Sequence, residues 1–235
     1  MKTASIDLSI HRQDVQRQKI AIFEPYIFNK VYGNARYISM YFKFIDRVQF
    51  DPILISPVEC DYLETLGDRD EQWQVVPGPG PLNEFGGKTL TNGPISKSIT
   101  VLCLIWYTLK LAVHFLRERV DIVQCHHIRA VLTAGFAAKL IRRPLIWYVK
   151  GELENPNLDR LCLMLADRVL FQGETNLRRR YPDLIEKYRH KISIAENGVD
   201  LEELAEAESR DHEDLKSELE FDLSKTNIVF VGQVM

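Results

Sequence analysis

Seven short runs of apolar, largely β-branched residues, alternating with longer stretches of helical spacing, constrain this chain more than any other feature. The runs are Lys19–Phe23, Pro52–Ser56, Gln74–Val76, Asp121–Cys125, Leu145–Val149, Arg168–Phe171 and Lys191–Ala195. Several are nearly continuous apolar segments, the pattern of strands covered by helices on both faces. Between them, Asn34–Arg47, Ile95–Arg117, Ile128–Ile141, Asn157–Ala166 and Thr175–Tyr188 have helical length and spacing. Such alternation builds βαβ units, so the expected fold is α/β, a Rossmann-like parallel sheet with helices on both faces.

A chain of 235 residues exceeds the usual single domain of roughly 100 to 200 residues but falls short of two full α/β domains. The hydrophobic share of 46% is enough for one substantial core. With 30 basic against 33 acidic side chains, a formal net charge of -3 sets up no field that would draw the chain to nucleic acid. Cys60, Cys103, Cys125 and Cys162 form no Cys-x-x-Cys pair and read as small core residues in a reducing compartment. Residues 1–18 form a polar tail of mixed charge without the apolar stretch of a secretory signal, which points to the cytoplasm.

The most apolar segment, Ile95–Leu116, is interrupted by Lys97, Lys110 and His114 and followed by Arg117–Arg119. It reads as a buried or half-buried helix rather than a spanning one. With Trp106 and Tyr107 it also has the character of a helix that docks on a bilayer surface, so peripheral membrane contact is the second expectation. Val76–Pro94, rich in Pro and Gly, reads as a long loop. Residues 19–200 would then be one Rossmann-like domain, 201–226 an acidic helical linker, and 227–235 the first strand of a second domain.

Open parallel sheets bind ligands beyond the carboxyl ends of their strands, so the residues there are the site candidates. Gly33 and Asn34 stand at the expected start of a helix, where backbone amides can approach an anion. His126 and His127 follow the fourth strand; as neighbours they should point to opposite sides, a poor metal pair but a source of one cleft-facing acid–base or hydrogen-bonding group, with structural packing the equal alternative for either. Lys150, Gly151 and Glu152 follow the fifth strand, the two charged side chains forming either cleft groups or a surface ion pair. Glu174 follows the sixth strand, and Asn197, Gly198 and Asp200 the seventh. Dinucleotide fingerprint, P-loop, Ser-His-Asp elbow and metal motif are all missing from the sequence, which argues against a Rossmann epimerase or dehydrogenase.

Four segments in this order and spacing resemble glycosyltransferase family 4: Val120–Gln124 with His126-His127, Ala166-Asp167-Arg168-Val169, Asn197-Gly198-Val199-Asp200, and Val229-Phe230-Val231-Gly232. The resemblance extends over nearly the whole chain from Lys19. It implies a B-type fold of two Rossmann-like domains, this chain being the N-terminal, acceptor-side one. A nucleotide-diphosphate-sugar donor would be held mainly by residues beyond Met235. The implied reaction retains the anomeric configuration and needs no metal or cofactor, with a carbohydrate or lipid-linked acceptor. A non-catalytic module that keeps the fold and binds an acceptor or partner is the alternative.

By position, the resemblance places Gly33 near the donor phosphate or acceptor, makes Asn197, Gly198 and Asp200 the hinge, and puts Gly232 at the donor-side loop. Lys150 stands where the family usually has His, preserving a positive partner for phosphate, whereas Gln233 replaces a usual Arg. Such an enzyme must stabilise charge on the departing nucleoside diphosphate. That need favours Lys150 and Gly33 ahead of His126 and His127, while Glu152 and Glu174, with Gly151, would either bind the acceptor or cap turns.

Overall fold

A computed structural model describes residues 17–25, 33–58, 73–83, 93–150, 155–174 and 182–209. Seven parallel strands form one sheet: β1 Gln18–Phe23, β2 Phe50–Ser56, β3 Trp73–Val75, β4 Ile122–Cys125, β5 Leu145–Val149, β6 Arg168–Phe171 and β7 Ile192–Ile194. Their order is β3-β2-β1-β4-β5-β6-β7, so the chain runs out to one edge and then restarts on the other side of β1. Phe23 lies beside Ile55 on one flank and Cys125 on the other. The α/β fold with a parallel sheet is as the sequence leads one to expect.

The period-two pleat sorts the strand residues between two layers. Ala21, Phe23, Ile53, Ile55, Val123, Cys125, Leu145, Trp147, Val149, Val169 and Phe171 belong to one large buried cluster. Packed with them are residues of α2 (Pro94–Arg117), of α3 (128–140), of α4 (Pro156–Leu165) and of α5 (Pro182–Tyr188). Ile20, Ile22 and Leu54 face the other way, onto Ile38 and Phe42 of α1 (Gly33–Phe44). Buried Cys125 and Cys162 and half-buried Cys103 are small core residues, as expected; Cys60 lies outside the described residues.

α3 runs as Ile128–Ala130, a π-helical Val131–Gly135 and Phe136–Leu140. Its small residues Ala130, Ala134, Gly135, Ala137 and Ala138 let the backbone sit close on the sheet. A Cβ on Gly135 would come within 2.9 Å of Leu145 Cδ2 and 3.3 Å of Val131 Cγ1. Gly135→Ala is therefore expected to destabilise the fold by about 1–3 kcal/mol, read as a lower denaturant midpoint. Gly80→Ala, where the methyl meets open space, should shift stability by less than about 0.5 kcal/mol.

α4 starts on a reciprocal cap. Asn155 Oδ1 accepts from the amides of Asn157 and Leu158, both at 3.2 Å, and Asp159 Oδ2 accepts from the Asn155 amide at 2.8 Å. The Ala166–Val169 turn is tied back to the sheet, because Asp167 Oδ2 accepts from the Leu145 amide at 2.7 Å and from Lys139 Nζ. That hydrogen bonding, chiefly from Lys139, holds the Asp167 carboxyl below its usual range against the opposing effect of burial.

α2 is half-buried, one of the two forms expected for it. Only one stripe of it is buried, formed by Thr100, Tyr107, Leu111, Ala112 and Phe115, with the Tyr107 hydroxyl donating to Val76 O at 2.7 Å. The opposite face is exposed. After β3, residues 76–79 have no regular structure and lead into one helical turn at Gly80–Asn83, while residues 84–92 of the expected loop lie outside the described residues.

The chain divides into two compact units after Asn197. The second contains α6, Leu201–Ser209, whose first turn is capped by Asp200 Oδ1 accepting from the amides of Glu202 and Glu203 at 3.1 and 3.2 Å. Residues 1–16, the rest of the expected acidic linker, and the 227–235 strand lie outside the described residues.

Candidate functional site

β1 is followed by a helix on one face of the sheet and β4 by a helix on the other, so the chain diverges between the carboxyl ends of these two neighbours. That topological switch point is where open α/β sheets hold ligands. Here it carries Glu24, His126 and His127, flanked by Lys150 at the end of β5 and by Tyr37 of α1.

The local pattern explains the convergence. Gln124 and Tyr148 belong to the strand positions that alternate with the large core, and so share the sheet face that α1 covers. Tyr37 stacks on Tyr148, ring centroids 5.0 Å apart and planes 15° apart, and meets His126 edge-on at 5.2 Å. Lys150 Nζ stands 3.9 Å from the Tyr37 ring centroid, a cation–π contact. The Tyr148 hydroxyl donates to Asn197 Oδ1 at 2.7 Å.

Gln124 Nε2 lies 3.0 Å from His126 Nε2. An amide nitrogen only donates, so His126 Nε2 accepts and the ring proton sits on Nδ1. Burial, reinforced by the positive charge of Lys150, pushes the His126 pKa well down and keeps the ring neutral at physiological pH. Among the described residues His126 Nδ1 has no hydrogen-bond partner although it is buried. A buried N–H without an acceptor is costly, and a bound hydroxyl or phosphate oxygen would satisfy it.

His127 Nε2 is 3.7 Å from Glu24 Oε1. That is too long for a hydrogen bond, and burial together with Lys150 and Arg129 lowers the His127 pKa to about 4. At neutral pH the imidazole in this contact is therefore neutral. Burial also lowers the Lys150 pKa to about 8, against the opposing pull of Glu24. The ammonium is thus weakly hydrated and still charged at pH 7, a state suited to an anionic ligand. Burial raises the pKa values of Tyr37 and Tyr148, so the aromatic wall stays neutral.

Of the candidates from sequence, His126, His127 and Lys150 come together, the histidines turning to different neighbours. Gly33 and Asn34 open α1. Asn197 reaches the cluster through Tyr148, whereas Asp200 caps α6 and Glu174 stands exposed past the end of β6. Gly151, Glu152 and Gly232 lie outside the described residues. Sequence reasoning missed Tyr37, Gln124 and Tyr148. A polar Gln124 inside an otherwise apolar strand was the one available signal.

No family model matches the chain, and no curated protein matches it. Solved structures do. The chain superposes on a glycosyltransferase from Rickettsia africae with a TM-score of 0.57 at 17% identity, covering 87% of this chain and 49% of that one. The lipopolysaccharide outer core galactosyltransferase WaaB gives 0.55 at 14%, covering 78% and 46%. Anabaena HepE, solved with UDP and glucose, gives 0.52 at 12%, covering 79% and 46%. The chain spans about half the length of these proteins, and its fold is that of one Rossmann-like half of a B-type glycosyltransferase.

Proposed function

We propose that this chain is the acceptor-side half of a retaining, nucleotide-sugar-dependent glycosyltransferase of the family 4 kind. The observation that carries the reading is the switch-point crevice. There, half-buried Lys150 is seated on Tyr37 beside the buried, unpartnered Nδ1–H of His126. Sugar transfer from a nucleoside diphosphate places negative charge on the leaving group as the sugar carbon gains oxocarbenium character. Lys150 is suited to meet that charge, and His126 Nδ1–H to donate to a sugar hydroxyl or phosphate oxygen. Glu24 and neutral His127 form the acceptor-side wall. HepE, captured with UDP and with glucose, supports a nucleotide-sugar donor.

The test is release of nucleoside diphosphate from UDP- and GDP-sugars, with a lipid and polysaccharide extract as acceptor source, by this chain combined with the donor-side domain that the proposal requires. Acceptor-dependent release is expected from the pair and little from the chain alone. Release that is indifferent to this chain would refute the reading. His126→Ala should lower the rate on the order of 10-fold to 100-fold, the scale of one lost hydrogen bond to a reacting group.

A further inference from the structure

We propose that α2 docks this protein on the surface of an anionic lipid bilayer, lying along it. The inference goes beyond sugar transfer and does not depend on it. Ile95, Ile99, Leu102, Trp106, Leu109, Val113 and Leu116 follow one another in strict steps of four and three residues, which lines them up along one side of the helix. Val101 and Ile105 widen that side. All nine are 48% to 76% exposed, an apolar strip far longer than the scattered exposed residues of an ordinary surface.

The charges select the occupant. The 24 residues of α2 include Lys97, Lys110 and Arg117 and no carboxylate. A second copy of α2 laid on this strip would bring cations toward cations with no acidic partner, whereas lipid phosphates complement them. Lys110 Nζ sits 5.3 Å from the Trp106 ring centroid, pairing an interfacial aromatic with a cation at mid-helix. Beside them opens a groove of about 410 Å³, bounded by Val76 and lined with Trp106, Lys110, Val113, His114 and Arg117. His114 Nε2 is buried without a hydrogen-bond partner among the described residues.

The helix is long and apolar enough to cross a membrane, with a mean hydropathy of 1.8 over its best window. Its other face argues for lying flat. Leu111 and Phe115 are fully buried against the sheet and Tyr107 is bonded to Val76 O, contacts that a crossing helix would have to give up.

The experiment is flotation of the full chain with phosphatidylcholine vesicles, with and without phosphatidylglycerol. Binding should favour the anionic vesicles on the order of 30-fold at low salt, as expected for Lys110 and Arg117, the two cations beside the strip. Leu102→Glu with Leu109→Glu should weaken binding more than about 10-fold with unchanged melting, since both side chains are exposed. Lys110→Ala with Arg117→Ala should erase the lipid preference. Vesicles should shift tryptophan emission to the blue in the native chain but not in Trp106→Phe, an independent readout from unmutated protein. Three results would overturn the proposal: vesicle binding indifferent to the Glu pair, a concentration-dependent dimer without vesicle binding, or insertion that resists alkaline carbonate.

Discussion

Lys150→Met is expected to slow acceptor-dependent nucleoside-diphosphate release on the order of 10²-fold, with little change in the thermal midpoint. Among the described residues Lys150 is the cation that stands against the aromatic wall, charged at pH 7, so its loss acts on charge that develops in the transition state. Its pKa of about 8 fixes the direction of the pH dependence. Below that value the ammonium is charged and the contribution is complete; as pH rises through it, the charge and the contribution disappear. The native rate should therefore fall on the alkaline side near pH 8, whereas Lys150→Arg, charged throughout, should lose that fall. An alkaline limb unchanged in both variants would assign it to another group.

Phe115→Ala is expected to cost about 3–5 kcal/mol, the largest stability effect of any single truncation in α2. Phe115 is fully buried in the cluster that joins the helices to β1, β4 and β5. Leu109→Ala, on the exposed side of the same helix, should stay within about 0.5 kcal/mol. Denaturant melts of the two variants measure the difference. Equal losses would mean that both faces of α2 are packed, which would also remove the strip on which the lipid proposal stands.

The strands were legible because helices cover them on both faces, which forces continuous apolar runs such as Leu145–Val149. Their ends were less so. β1 reaches back to Gln18 because its backbone pairs with Phe50, a matter of partner length that side-chain pattern does not encode. β7 is shorter than its apolar run and, among the described residues, pairs with β6 alone. In α2 the apolar residues run almost all the way round, so composition could not say which stripe meets the sheet and which meets solvent.

The crevice was legible only where position in the topology sufficed. His126, His127 and Lys150 follow strand ends, and the rule for parallel sheets singles out such residues. Tyr37 and Tyr148 gave no such signal, because an aromatic in the middle of a helix or strand reads as core until the pleat face is known. The neutral state of His126 was equally hidden, resting on burial and on the positive charge of Lys150.

Entry of ligand oxygens into the crevice beyond β1, β4 and β5 is what the proposed function requires. It is tested most directly by nuclear magnetic resonance of the labelled chain titrated with glucose 1-phosphate, which carries pyranose hydroxyls and a phosphate on one small molecule. Saturable millimolar shifts at Tyr37, Gln124, His126, Tyr148 and Lys150, lost in Lys150→Met, are the predicted result. Shifts confined to Trp106, His114 and Arg117, or none at all, would contradict it.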